Sequence, residues 1–165
     1  MKPLSVVLLN VLLSFSSHSQ TTSISDSEQA NLSKFLVNFF DAVKDKNKDV
    51  MNKSLDDGFT LISSDSNGEQ IRKQNYINGV MLPDYLKVTA CTLSDFKFIG
   101  QNDVIIANFR IQWESLYKGK PWNANFLNTD VLIRSGDSYK ILYRHTSYPA
   151  SQLKRIVEER YSDSR

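Results

Sequence analysis

The chain is short of several things, and each shortage excludes a class of protein. Among its 165 residues there is one cysteine, Cys91. No internal disulfide can form, so a disulfide-stapled scaffold is excluded. Two histidines, His18 and His145, accompany that cysteine. They are too few for a structural or catalytic zinc site of the usual kind, and no metal is expected. The six glycines are scattered singly. No glycine-rich loop is available to cradle phosphates, and no cofactor is expected. Neither sign of charge is in excess, since the formal net charge is +2. That balance gives no electrostatic hold on nucleic acid or on an anionic membrane. No apolar run reaches the roughly 20 residues that a bilayer span needs.

What is present begins with a targeting signature. Met1-Lys2 leads into an apolar stretch from Leu4 to Phe15, followed by Ser16-Ser17-His18-Ser19-Gln20. A charged start, a short apolar region and small residues at Ser17 and Ser19 describe a cleavable signal peptide over 1–19. The mature protein is expected to begin near Gln20 and to be secreted or periplasmic. The rest is one ordinary domain in length.

Ser25 to Glu28 fits a helix capping box. Leu32, Phe35, Leu36, Phe39, Phe40 and Val43 then recur at spacings of three and four, which predicts an amphipathic helix. Asp49 is a candidate cap for a short second helix through Leu55. The period then changes to two at Phe59-Thr60-Leu61-Ile62, with a turn at Asp65-Ser66-Asn67-Gly68. A short helix through Tyr76, Ile77, Val80 and Met81 precedes Pro83. Four strand-like segments follow: Tyr85 to Ile99, Val104 to Tyr117, Trp122 to Arg134, and Tyr139 to Ser147. Helices first and an antiparallel meander afterwards predict an α+β fold. The domain spans 20–150, and 151–165 is a polar tail with helical character.

The meander has two unlike faces. Ile105, Ala107, Phe109, Ile111 and Trp113 form a wholly apolar row. Val104, Ile106, Asn108, Arg110 and Gln112 form a mixed one, repeated by Phe126, Asn128, Asp130 and Leu132 and by Leu142, Arg144 and Thr146. Pattern alone favours the apolar row on the helix and the mixed row in water. The alternative makes the mixed row the wall of a cavity and leaves the apolar row to a second copy of the chain.

Three stretches resemble a known superfamily: Leu55-Asp56-Asp57-Gly58-Phe59-Thr60, Thr129-Asp130-Val131-Leu132, and Ser138-Tyr139-Lys140-Ile141-Leu142-Tyr143-Arg144-His145-Thr146-Ser147. Their order and spacing are similar to the nuclear transport factor 2-like superfamily, which includes SnoaL-like cyclases and ketosteroid isomerases. The last stretch resembles the closing strand of the calcium/calmodulin-dependent protein kinase II association domain. The resemblance covers about Ser25 to Ala150, with Tyr139 where the family usually has tryptophan. It implies a cone: a strongly curved antiparallel sheet wrapped around the first helix, a cystatin-like architecture with a pocket inside. Pocket arginines of the association domain fall at Arg110, Asp130 and Thr146 here, and only Arg110 is kept. The implied pocket is lined by Asn108, Arg110, Asn128, Asp130, Arg144 and Thr146. The implied dimer face carries Phe109, Ile111 and Trp113.

The resemblance does not bring a catalytic set with it. Steroid isomerases of this fold use a carboxylate base, a tyrosine and a protonated aspartic acid. Asp130 matches the last of these. The base position falls near Ser63, which cannot take a carbon-bound proton at neutral pH. The tyrosine position falls near Phe39 or Phe40. Asp130 is instead expected to form an ion pair with Arg110 across the strands, with Arg144 flanking it. His145 and Ser147 lie on one strand face without a recognisable orienting acid or oxyanion hole, and His145 is expected to be packed or at an interface. No catalytic residue is assigned. The expected function is an exported, homodimeric domain that binds an unknown small molecule without catalysis. The alternatives are a SnoaL-like cyclase, isomerase or hydrolase, and an interaction module using the sheet face.

Overall fold

A computed structural model describes residues 24–64, 68–82, 86–117, 119–150 and 152. The expected signal peptide over 1–19 and, apart from Gln152, the tail over 151–165 lie outside the described residues. The elements run α1 (Asp26–Lys44), α2 (Lys48–Ser54), β1 (Leu55–Ser63), β2 (Ile71–Arg72), α3 (Lys73–Met81), β3 (Leu86–Gln101), β4 (Val104–Tyr117), β5 (Lys120–Ser135) and β6 (Ser138–Ser147). The fold is α+β: one open six-stranded sheet, ordered β2-β1-β6-β5-β4-β3, packed on α1. Strands β3 to β6 are the antiparallel meander expected from their pattern, and β1 adds to β6 in parallel.

Helix α1 starts where the capping box places it. The Ser25 side chain accepts from the Glu28 backbone N–H at 3.3 Å and so satisfies one of the orphan donors of the first turn. Its apolar stripe buries Leu32, Leu36, Phe39, Phe40 and Val43, each worth roughly 1.5–3 kcal/mol of burial. Glu28 is tied to Arg134 of β5, and Phe35 packs edge-on against Tyr139 of β6. At the other end the Phe40 ring meets Phe109 and Trp113 of β4. The helix therefore crosses the inner face of the sheet from β6 to β4. Asn47, not Asp49, caps α2, its Oδ1 accepting from the Val50 N–H.

The apolar row of β4 faces this helix. Ile105, Ala107, Phe109, Ile111 and Trp113 are all buried within one protomer. Phe109, Ile111 and Trp113 are thus core, and the dimer face expected there is not available. The outer face is the other row, where Val104 and Ile106 are exposed beside Ile99 of β3, and Leu127 of β5 is exposed farther along.

One hairpin decides which row of β5 joins that core. Tyr117 pairs with Lys120, so a two-residue connection joins the strands. Gly119 has φ +77°, a left-handed conformation that glycine adopts without strain and that tight hairpins require. Partners across this hairpin have opposite parity. Ala107 lies opposite Asp130, and Arg110 lies opposite Leu127. The inner face therefore combines the apolar row of β4 with Ala124, Phe126, Asn128, Asp130 and Leu132 of β5. The expected facing of Arg110 and Asp130 does not occur. That facing would need a loop one residue longer or shorter, which gives the two strands matching parity.

A bulge adjusts the next pair. Val131 pairs with Tyr143 and Leu132 with Ile141, leaving Leu142 as the extra residue of β6. This lets Ile141 and Arg144, of opposite parity, both turn inward. His145 then points outward and is exposed, so it is not packed within the protomer.

Candidate functional site

The inner ends of β5 and β6 carry a polar cluster set into the aromatic core. Asp130 and Arg144 are direct cross-strand partners. Arg144 Nε donates to Asp130 Oδ1 at 2.8 Å, and its terminal nitrogen donates to Oδ2 at 2.6 Å. Asp130 is 0% exposed and Arg144 2%. The guanidinium carbon lies 4.8 Å from the Phe39 ring centre and 4.5 Å from that of Phe40, so α1 holds the arginine by cation–π contact as well as by packing. Burial pushes the Asp130 carboxyl up from its ordinary range, while Arg144 pulls it the other way. Two short charge-assisted bonds in fork geometry are those of the ionised pair. Tyr76 of α3 also interacts with Arg144, and burial raises its hydroxyl above the ordinary tyrosine value.

One step along the strands, Thr146 Oγ1 donates to Asn128 Oδ1 at 2.7 Å. Asn128 Nδ2 is buried and has no hydrogen-bond partner, as is Trp113 Nε1. These groups edge a cavity of about 240 Å³. Its walls are apolar and aromatic: Ile111, Trp113, Trp122 and Phe126 from the sheet, Phe40 from α1 and Tyr76 from α3. Lys44 and Lys46 line it as well. Lys44 is paired with Asp41, and Lys46 donates to the Leu82 carbonyl.

Four of the six expected pocket residues thus lie together on the inner side. Asn128, Arg144 and Thr146 line the cavity, and Asp130 sits behind Arg144 without reaching it. Asn108 and Arg110 lie on the outer side. Asn108 Oδ1 accepts from Thr129, and Arg110 forms an exposed ion pair with Asp95 at 2.8 Å. Asp95, at φ +56°, belongs to a bulge of β3 that opens beside it. Trp113, Trp122, Phe126 and Tyr76 were not expected at a site. Tyr76 belonged to a visible short-helix pattern, but nothing in its spacing tells that α3 closes over the sheet. Trp113 lies in the row that the resemblance implies as a dimer face.

The chemistry open to this cluster is restricted. Asp130 has both oxygens engaged by Arg144 and does not reach the cavity. Ser63 and Phe40, which the sequence resemblance implies at or near the isomerase base and tyrosine positions, both line the cavity. Among the described lining residues none is Asp, Glu, His or Cys. No group of three or more potential metal ligands occurs among the described residues.

No family model matches the chain, and no curated protein matches it. Solved structures do. An NTF2-like protein from Cytophaga hutchinsonii superposes with a TM-score of 0.67 at 14% identity, over 74% of this chain and 98% of its own. A CaMKII hub from S. rosetta gives 0.60 at 15% identity, over 73% and 95%. A ketosteroid isomerase-like protein from Erwinia carotovora atroseptica gives 0.62 at 12%, over 76% and 99%. The chain has the nuclear transport factor 2-like fold that its three sequence stretches resemble.

Proposed function

We propose that this protein binds a small, mainly apolar molecule between α1 and the inner face of its sheet, and performs no reaction on it. One observation carries the proposal. An aromatic-walled cavity meets a satisfied buried ion pair and an unpaired amide donor at a single place. Interiors that serve stability alone are close-packed. A cavity with apolar walls and a few convergent polar groups is the usual form of a ligand site. The described lining residues include no Asp, Glu, His or Cys, and both lining lysines are engaged by Asp41 and the Leu82 carbonyl, which supports binding over catalysis.

Export and self-association belong to the same proposal. The Lys2, Leu4–Phe15, Ser17-x-Ser19 arrangement supports a mature protein beginning near Gln20. The outer sheet face supports a homodimer, since Ile99 is 52% exposed and Val104 42%. The likeness to a kinase hub points the same way. Native mass spectrometry of protein purified from its own host tests these points together. A dimer starting near Gln20 and carrying a non-covalent small-molecule mass is the expected result. Protein that always arrives empty would contradict binding, and a monomer at every concentration would contradict the dimer.

A further inference from the structure

The cavity wall contains a donor that the protein itself does not use. Asn128 is 3% exposed, its Oδ1 is engaged by Thr146, and its Nδ2 has no partner. An unmade buried bond of this kind costs about 1–3 kcal/mol. Packing gives no reason for it, because the same inner row of β5 carries Ala124, Phe126 and Leu132. Buried polar groups are nearly always satisfied, so an orphan at a cavity edge points to an acceptor supplied from outside. The terminal torsion of an asparagine is broad. The planar amide turns as a unit, and the rotatable Thr146 hydroxyl can follow Oδ1 as Nδ2 turns toward the cavity.

Charge selects the kind of acceptor. Arg144 lines the cavity together with Asn128, and Asp130 neutralises it through both carboxylate oxygens. Lys44 and Lys46 are engaged by Asp41 and by the Leu82 carbonyl. An ionised carboxylate brought to Asn128 would shed its water and meet a neutral amide. That desolvation is heavily unfavourable. A neutral carbonyl loses far less and gains the missing bond. Size narrows the choice further. A cavity of roughly 150 Å³ holds one benzene, and drug-sized ligands use roughly 300 Å³ or more. At about 240 Å³ the space suits one ring with a short substituent. The surrounding faces of Phe40, Tyr76, Trp113, Trp122 and Phe126 favour an aromatic ring.

We infer that the cavity takes a neutral, single-ring molecule bearing a carbonyl oxygen, and that Asn128 Nδ2 donates to that oxygen. This rests on the proposed binding function and names the ligand class for the same site. Three probes of one shape test it: acetophenone, α-methylstyrene with a methylene in place of the carbonyl oxygen, and benzoate. Each is titrated into the purified protein while the fluorescence of Trp113 and Trp122 is followed. These are the chain's two tryptophans, and both line the cavity.

Acetophenone should bind about fivefold tighter than α-methylstyrene, the effect of one net hydrogen bond. Benzoate should bind weakest. In Asn128→Leu the preference for acetophenone should vanish. In case that variant does not fold, nitrogen-15 spectra of the wild type provide a second readout. The Asn128 side-chain amide signals should move with acetophenone and stay with α-methylstyrene. If α-methylstyrene binds as tightly as acetophenone, or benzoate binds tightest, the inference is overturned and the pocket stands. If none of the three binds, the binding proposal itself fails.

Discussion

Removing either member of the Asp130–Arg144 pair should cripple the fold, and removing both should not. Asp130 is 0% exposed, and Arg144 is clamped between two phenylalanine rings. Arg144→Met keeps much of the stem packing and leaves a buried carboxylate alone. Asp130→Leu leaves a buried guanidinium alone. Breaking a buried pair in this way costs about 3–5 kcal/mol. A domain of this size has only about 5–15 kcal/mol in total, so each single variant should lose a large share of its stability. The double variant replaces the pair by apolar groups of similar volume, which is commonly neutral or even stabilising. It should fall within about 2 kcal/mol of wild type, leaving a coupling energy above about 3 kcal/mol. Urea unfolding followed by tryptophan fluorescence gives all four corners of the cycle. The pH dependence gives an independent check. A buried carboxyl without its cation has a folded pKa above its unfolded one. Folding then takes up a proton, so Arg144→Met should regain stability as pH falls from about 8 toward about 5. Small, additive effects with coupling under about 1 kcal/mol are those of a solvated pair, and would refute the buried cluster.

Two further outcomes follow from the same geometry. Burial pushes the Cys91 thiol up to about 11, so alkylation at neutral pH should run roughly a hundredfold slower than for free cysteine. An ordinary rate in folded protein would contradict this, and full denaturation should restore it. Ile106→Glu on the outer face should give soluble monomer by sedimentation, whereas Trp113→Glu in the core should unfold or aggregate. A soluble, folded Trp113→Glu monomer would return the apolar row to the surface.

Much of the fold is written in local pattern. The capping box at Ser25, the stripe from Leu32 to Val43 and the period-two runs after Val104 each specify an element by themselves, and each element forms. The site depends on how elements meet, and one residue of loop length controls that. The two-residue connection sets the β4–β5 register at Tyr117–Lys120. It moves Arg110 to the outer side and leaves Asp130 to Arg144. The sequence contains Gly119, but both Lys118-Gly119 and Lys118-Gly119-Lys120 are acceptable turns, and they assign opposite parity to β5. The Leu142 bulge carries no sequence mark either, yet it separates buried Arg144 from exposed His145. Asn128, Arg144 and Thr146 were visible as polar residues in a strand row. Tyr76 and Trp122 reach the cavity through tertiary packing, which periodicity does not encode.

The central claim is an accessible apolar cavity between α1 and the inner sheet face. Diffraction from crystals of the protein held under xenon tests it most directly, because xenon enters dry apolar cavities and leaves a strong scattering peak. The account predicts a peak enclosed by Ile111, Trp113 and Phe126, weakened or displaced when acetophenone is added. Side chains filling that space, with xenon found only elsewhere, would contradict it.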